Sequence, residues 1–140
     1  ELGLADFVLE MGGEVTTRGR HPSGRPWQIA VEGPLPEVIR LNGRAIATSG
    51  GLPQGYEVRG RGYNHIIDPR SGAPARGGVA SASVIADSAM EADALTTALC
   101  SLDTDSARDL AGSLGLDARL VFDGRAAPVL TGRFVDHLAG

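Results

Sequence analysis

Two short stretches carry residue types that could do chemistry. In "SAMEADALTTALCSL", Ser88 to Leu102, Asp93 and Thr97 stand four positions apart. On a helix that spacing stacks a carboxylate and a hydroxyl one turn above the other on one face. One carboxylate and one hydroxyl are too few for a protein-only metal cage. They make a half-site for Mg²⁺, which takes one or two carboxylates, keeps water and completes its shell with substrate phosphates. The competing reading is purely local: the threonine caps a backbone carbonyl and the aspartate meets a nearby N–H. The second stretch is "YNHIIDPRSG", Tyr63 to Gly72, where His65 leads into Asp68-Pro69-Arg70-Ser71-Gly72. Proline presets φ and glycine accepts a positive one, so this run has turn chemistry. On spacing alone it reads as a strand reaching a bend.

Other chemistries lack their residues. All thirteen basic side chains are arginine, which excludes Schiff-base catalysis on a lysine. The single cysteine, Cys100, excludes an internal disulfide and any cysteine-based metal cluster. Ser49 in "ATSGG" has no Gly-x-Ser-x-Gly frame, and Gly12-Gly13-Glu14 lacks the dinucleotide fingerprint. His21, in a proline-glycine loop, and His137, near the C-terminal end, read as surface residues. The histidines have no zinc-ligand spacing. A net charge of −4 argues against a nucleic-acid surface. No apolar run approaches the roughly 20 residues of a membrane-spanning helix.

The elements that must position these residues follow from periodicity. "ADFVLEMGGEVTTRG" reads as a strand interrupted at Gly12-Gly13 by a bulge or close backbone approach. "WQIAVEG" alternates as a half-buried strand, and "AIATSG" ends another. "GYEVRGRGYNHIID" reads as a hairpin about Arg59 to Gly62, and Val79 to Asp87 as one more strand. The period then changes. Ser88 and Glu91 fit a capping box for a helix reaching about Leu102. Met90, Ala94, Leu95, Ala98, Leu99 and Leu102 are expected to form its core stripe. Asp93, Thr96, Thr97 and Cys100 fall opposite, a face of short polar groups suited to closing against protein or ligand. A second helix is expected from a Thr104 cap to a Gly115 stop, and a final hairpin with a type I′ turn at Asp123-Gly124. The sum is one α+β domain: a mainly antiparallel sheet, two helices and a C-terminal hairpin.

"MGGEVTTRG", "PWQIAVEGP", "AIATSG", "YNHIIDPRSGAP" and "ASVIADSAMEADALTTAL" resemble, in this order, segments of the ApbE family, the FAD:protein FMN transferases. The resemblance covers nearly the whole chain. His-Ile-Ile-Asp-Pro-Arg-Ser-Gly and Ala-Asp-Ala-Leu-Thr-Thr-Ala are specific as a pair. It implies a T-fold-like architecture and Mg²⁺-dependent transfer of FMN from FAD to a threonine or serine hydroxyl of an acceptor flavoprotein, releasing AMP. Asp93 and Thr97 match the family's metal ligands. His65 matches the histidine that takes the acceptor proton, and Ile67 a position touching FAD. Gly12, Gly13, Glu14 and Ser49 match segments lining the same pocket. Thr96 stands where some members carry a further acid.

Gly51 and Leu52 depart from the family's aspartate and aromatic. The resemblance also implies longer members, whose N-terminal half brings much of the flavin pocket, a lysine and another metal ligand. The chain is then expected to be a fragment, a cleaved product or one half of a protein completed by a second chain. Two alternatives accompany transfer: FAD hydrolysis to FMN and AMP, and a non-catalytic flavin-binding or assembly subunit. Relatives imply a place on the outer side of the cytoplasmic membrane, with a lipid anchor.

Overall fold

The computed structural model describes residues 3–50, 56–75 and 77–140, so Gly51 and Leu52 lie outside the described residues. The chain opens with β1 (Phe7–Met11) and β2 (Glu14–Arg18), antiparallel, with Met11 opposite Glu14. Gly12 and Gly13 join them with φ of 70° and 109°. The expected bulge is instead a two-residue hairpin turn, whose twist requires positive φ at both positions. β3 (Trp27–Val31) alternates as expected and pairs with β4 (Glu37–Leu41). The sequence reading places no strand at β4, a five-residue alternation hidden between Pro36 and Asn42-Gly43. β5 (Ala45–Gly50) follows.

β6 (Tyr56–Val58) and β7 (Arg61–Tyr63) form the expected hairpin, turning at Arg59-Gly60. β8 (Ile67–Asp68) and β9 (Ala73–Pro74) make another short pair. β10 (Val79–Ala86) is buried along its whole length. Then come α1 (Ala89–Cys100), α2 (Thr104–Ser113), β11 (Asp117–Phe122), β12 (Val129–Thr131) and a short 3₁₀ turn, Phe134–His137.

Six strands form one antiparallel sheet in the order β1-β2-β5-β10-β11-β12. Its two faces bury different clusters. Ala82, Val84 and Leu120 meet Leu99, Cys100, Ala107 and Ala111 of the helices. Ile46 and Ile85 meet Val31, Ile39, Leu41 and Phe134 on the other side. Each fully buried Leu, Ile or Phe contributes roughly 1.5–3 kcal/mol, whereas an exposed pair such as Arg108–Asp105 contributes about 1 kcal/mol at most. Packing therefore holds the three layers together. Arg119 of β11 is 1% exposed and donates from Nη2 to the Leu35 carbonyl, tying the sheet to the loop before β4. Burial pushes the pKa of its guanidinium down.

The helices correct two expectations and the C-terminal hairpin a third. In α1 the buried residues are Ala92, Thr96, Leu99 and Cys100, while Met90 is 82% exposed and Ala94 and Ala98 face solvent. The stripe is rotated because small side chains, not the larger Met90, let a helix lie close on a sheet. Thr96 and Cys100 are short enough to bury and find acceptors there. The cap of α2 is Asp103, not Thr104: its carboxylate accepts the Ser106 N–H at 2.9 Å and the Ser106 hydroxyl at 2.8 Å. Gly115 does end α2, with φ of 62°. Leu116 N–H donates to Ala111 and Gly115 N–H to Gly112, a Schellman arrangement. In the C-terminal hairpin, pairing starts at Leu120 opposite Val129, and Phe122 pairs instead with Val79 of β10. Gly124 has φ of 72° but Asp123 does not reach positive φ, so the turn is not type I′.

Candidate functional site

The site begins with where α1 starts. Ser88 Oγ accepts the Glu91 N–H at 3.2 Å and sets the first turn. Ala92 of the helix meets Ala47 of β5 and Ala86 of β10 in a cluster made only of alanines. That contact seats the helix close enough for its hydroxyls to reach the strand. Ser49 Oγ, near the end of β5, lies 2.9 Å from Thr96 Oγ1 and 3.4 Å from Thr97 Oγ1. Thr96 Oγ1 donates to the Asp93 carbonyl at 2.9 Å. Cys100 Sγ donates to the Ser49 carbonyl at 3.4 Å, and burial pushes this thiol up to about 11. Ser49 is thus fixed by its backbone as well as its side chain.

Asp93 and Thr97 are exposed, one turn apart, as the spacing predicts. The Asp93 carboxylate has no hydrogen-bond or ion-pair partner among the described residues, and the Thr97 hydroxyl has Ser49 alone. The local reading therefore describes Thr96, whose hydroxyl does bond a backbone carbonyl, and not Asp93. Glu14, opening β2, shares a cavity of about 300 Å³ with Asp93, Met90, Met11 and Leu9. Its neighbour Gly13 lines a different cavity, with Thr48, Gly50 and Ser81. Thr48 bonds Ser83 there, and Ser83 shares a sheet face with Ile85 of the β3–β4 layer. Gly12 belongs to the turn, where an added Cβ would lie 3.2 Å from Glu14 Oε2. The structure thus joins Glu14, Ser49, Asp93 and Thr97 in one region and puts Gly13 on another surface.

His65 and Ile67 belong to a separate feature. Both are exposed, and between them Ile66 is 6% exposed, packed in the cluster of Leu99 and Cys100. Asn64 Oδ1 accepts the Ile66 N–H at 3.0 Å, and the Ile66 carbonyl accepts from Ala75 at 2.8 Å. Asp68 organises the turn that follows, its carboxylate accepting from the Arg70 N–H and guanidinium at 2.9 and 3.1 Å. That arginine holds the Asp68 carboxyl below the usual carboxylate range. No hydrogen bond or ion pair among the described residues joins His65 to Asp93, Thr97, Ser49 or Glu14. Their connection is the buried side chain of Ile66 against the end of α1. His21 is exposed as expected, but His137 is only partly so, its Nδ1 lying 3.0 Å from the Arg40 carbonyl.

Thr96, at the centre of the hydroxyl cluster, is the residue that sequence reasoning left out. The signal was present: Ala92, Thr96 and Cys100 recur every four residues as one stripe of small side chains. Among the described residues no three His, Cys, Asp or Glu side chains cluster as a metal cage.

The sequence pattern of the ApbE family matches residues 1–120. The chain belongs to the ApbE family. It is 34% identical to an FAD:protein FMN transferase of Salmonella typhimurium over 120 residues, 81% of this chain and 34% of that protein. To the FAD:protein FMN transferase of Chlamydia trachomatis it is 42% identical over 97 residues, 67% of this chain and 30% of the other. The fold agrees with the apo form of Pseudomonas stutzeri flavinyl transferase ApbE at a TM-score of 0.85 and 34% identity, covering 99% of this chain and 45% of that one. The Thermotoga maritima ApbE protein gives 0.81 at 32% identity, covering 96% and 45%. The chain spans about a third of the length of the curated ApbE relatives it matches. The α+β architecture is the one these ApbE structures share.

Proposed function

We propose that this chain carries part of an FAD:protein FMN transferase site, with FAD as substrate and the hydroxyl of a protein threonine or serine as acceptor. The observation that carries the reading is the unpartnered Asp93 carboxylate beside a Thr97 hydroxyl anchored by Ser49. Two hard oxygen donors on a rigid helix face fit Mg²⁺, which leaves its other positions to water and phosphate oxygens. Asp93 and Thr97 would hold the ion. Bound there, it would neutralise the pyrophosphate of FAD and ease departure of AMP.

The remaining roles fall to side chains. The acceptor oxygen bonds to the flavin-side phosphorus, the bond from that phosphorus to the bridging oxygen breaks, and AMP leaves with its electron pair. The acceptor proton passes to a ring nitrogen of His65, since an imidazole can gain or lose a proton near neutral pH. Glu14, Gly12, Ser49 and Ile67 are assigned to the flavin pocket, with Glu14 and Ser49 on the Asp93 side, whereas Gly13 lines the other cavity. The partners are an acceptor flavoprotein and a further polypeptide portion matching the rest of the relatives' length.

The exposure of His65, Asp93 and Thr97 favours a second reading for the chain acting alone. Water can reach the same phosphorus, giving FMN and AMP. The deciding experiment mixes the chain with FAD, Mg²⁺ and an acceptor domain bearing a flavinylation threonine. Fluorescence on the acceptor after denaturing electrophoresis supports transfer. Free FMN and AMP without a labelled band support hydrolysis. Neither product means the chain is non-catalytic by itself.

A further inference from the structure

The hydroxyls around Ser49 obey a proton count that fixes their directions. Each hydroxyl has one proton to give and two lone pairs to receive with. Thr96 has committed its proton to the Asp93 carbonyl. In the 2.9 Å contact between Ser49 and Thr96, Ser49 must therefore be the donor. With its only proton spent, Ser49 can meet Thr97 at 3.4 Å only as an acceptor, so Thr97 donates.

A helical threonine ordinarily turns its hydroxyl back to a carbonyl three or four residues earlier, as Thr96 does. The Thr97 hydroxyl meets Ser49 on the strand side instead.

We propose that Ser49 and Thr96 are positioning residues that make Thr97 a donor inward, so that its lone pairs face outward as an oxygen ligand beside the Asp93 carboxylate. This assigns Ser49 to the support of the metal half-site rather than to contact with flavin, and gives buried Thr96 a role. The inference rests on the reading of Asp93 and Thr97 as that half-site. Removing the Thr96 hydroxyl frees the Ser49 proton, which can then turn onto the Thr97 oxygen and compete with a cation. Removing the Ser49 hydroxyl deprives Thr97 of its anchor.

The test is an NMR measurement on the isotopically labelled chain. Three-bond couplings report the Thr97 χ1 rotamer without metal, and Mn²⁺ line broadening at Asp93 and Thr97 reports cation binding. The parent should show one Thr97 rotamer. Thr96→Val and Ser49→Ala should average it and raise the Mn²⁺ midpoint about tenfold, the low end of what loss of an outer-sphere partner costs a metal site. Thr96→Ser and Ser49→Thr, which keep the hydroxyls, should behave as the parent. Melting curves run on every variant identify a general loss of fold, and Ser49→Ala reports independently where Thr96→Val does not fold. An averaged Thr97 in the parent overturns the proposal, as does an unchanged midpoint in both deletion variants. A fixed Thr97 that averages on deletion, with no Mn²⁺ broadening at Asp93, upholds the hydroxyl order and overturns the metal reading.

Discussion

The two candidate regions are built to different standards. The α1–β5 region is packed from behind by Ala47, Ala86, Ala92, Leu99 and Cys100, and its buried hydroxyls are paired. The β6–β9 arm that carries His65 consists of strands of two or three residues, and among the described residues Ile66, with Ala75 just after β9, joins it to the core. Short two-stranded pairs are marginal by themselves. The contrast assigns a fixed half, which would hold phosphates, and an adjustable half, which would bring the base. A site that must admit a protein acceptor gains from mobility on the acceptor side while the charged half stays preorganised.

Variants that separate the halves test this contrast. Asp93→Ala should remove metal-dependent flavin turnover entirely while leaving the melting curve in place; residual Mg²⁺-dependent turnover would move the metal elsewhere. His65→Ala should lower transfer by roughly 10²–10⁴-fold, the range of a general base, with Mn²⁺ binding unaltered. Equal loss of both would mean that the halves are not independent. Leu99→Ala, in the fully buried floor, should cost about 2–5 kcal/mol in urea unfolding and weaken both functions together.

Ile66→Val is the sharper probe of the arm. Its stability cost should be about 1 kcal/mol, yet transfer should fall while cation binding holds. If cation binding fell in step, the arm would belong to the fixed half. The smallest effect concerns pH. Asp103 accepts the Ser106 N–H and hydroxyl, which lowers its pKa in the folded chain below the ordinary 3.8. Its stabilisation is therefore complete above that ordinary value and lost as the pH falls through the folded one. Asp103→Asn should narrow the difference in urea midpoint between pH 7 and pH 3; an unchanged difference would show that the α2 cap does not contribute to acid sensitivity.

Residue order along the chain already determined a good deal. The Ser88 cap, the Gly115 stop, the alternation of β3 and the one-turn stacking of Asp93 over Thr97 are local consequences of backbone geometry. The family could be read too, because its two motifs are contiguous in sequence. What only the tertiary structure decided is which side of α1 is inside. Periodicity gives a stripe but not its phase when half of the apolar residues are alanine, and the close seat against Ala47 and Ala86 chose Thr96 over Met90. Ser49 is 47 residues from Thr96 and 48 from Thr97, so their hydroxyl network has no local signature. Glu14 and Val15 are neighbours in β2 that line cavities on opposite faces of one sheet, since successive strand residues alternate sides. Helix phase and sheet face depend on what packs against them, and a linear pattern does not contain that partner.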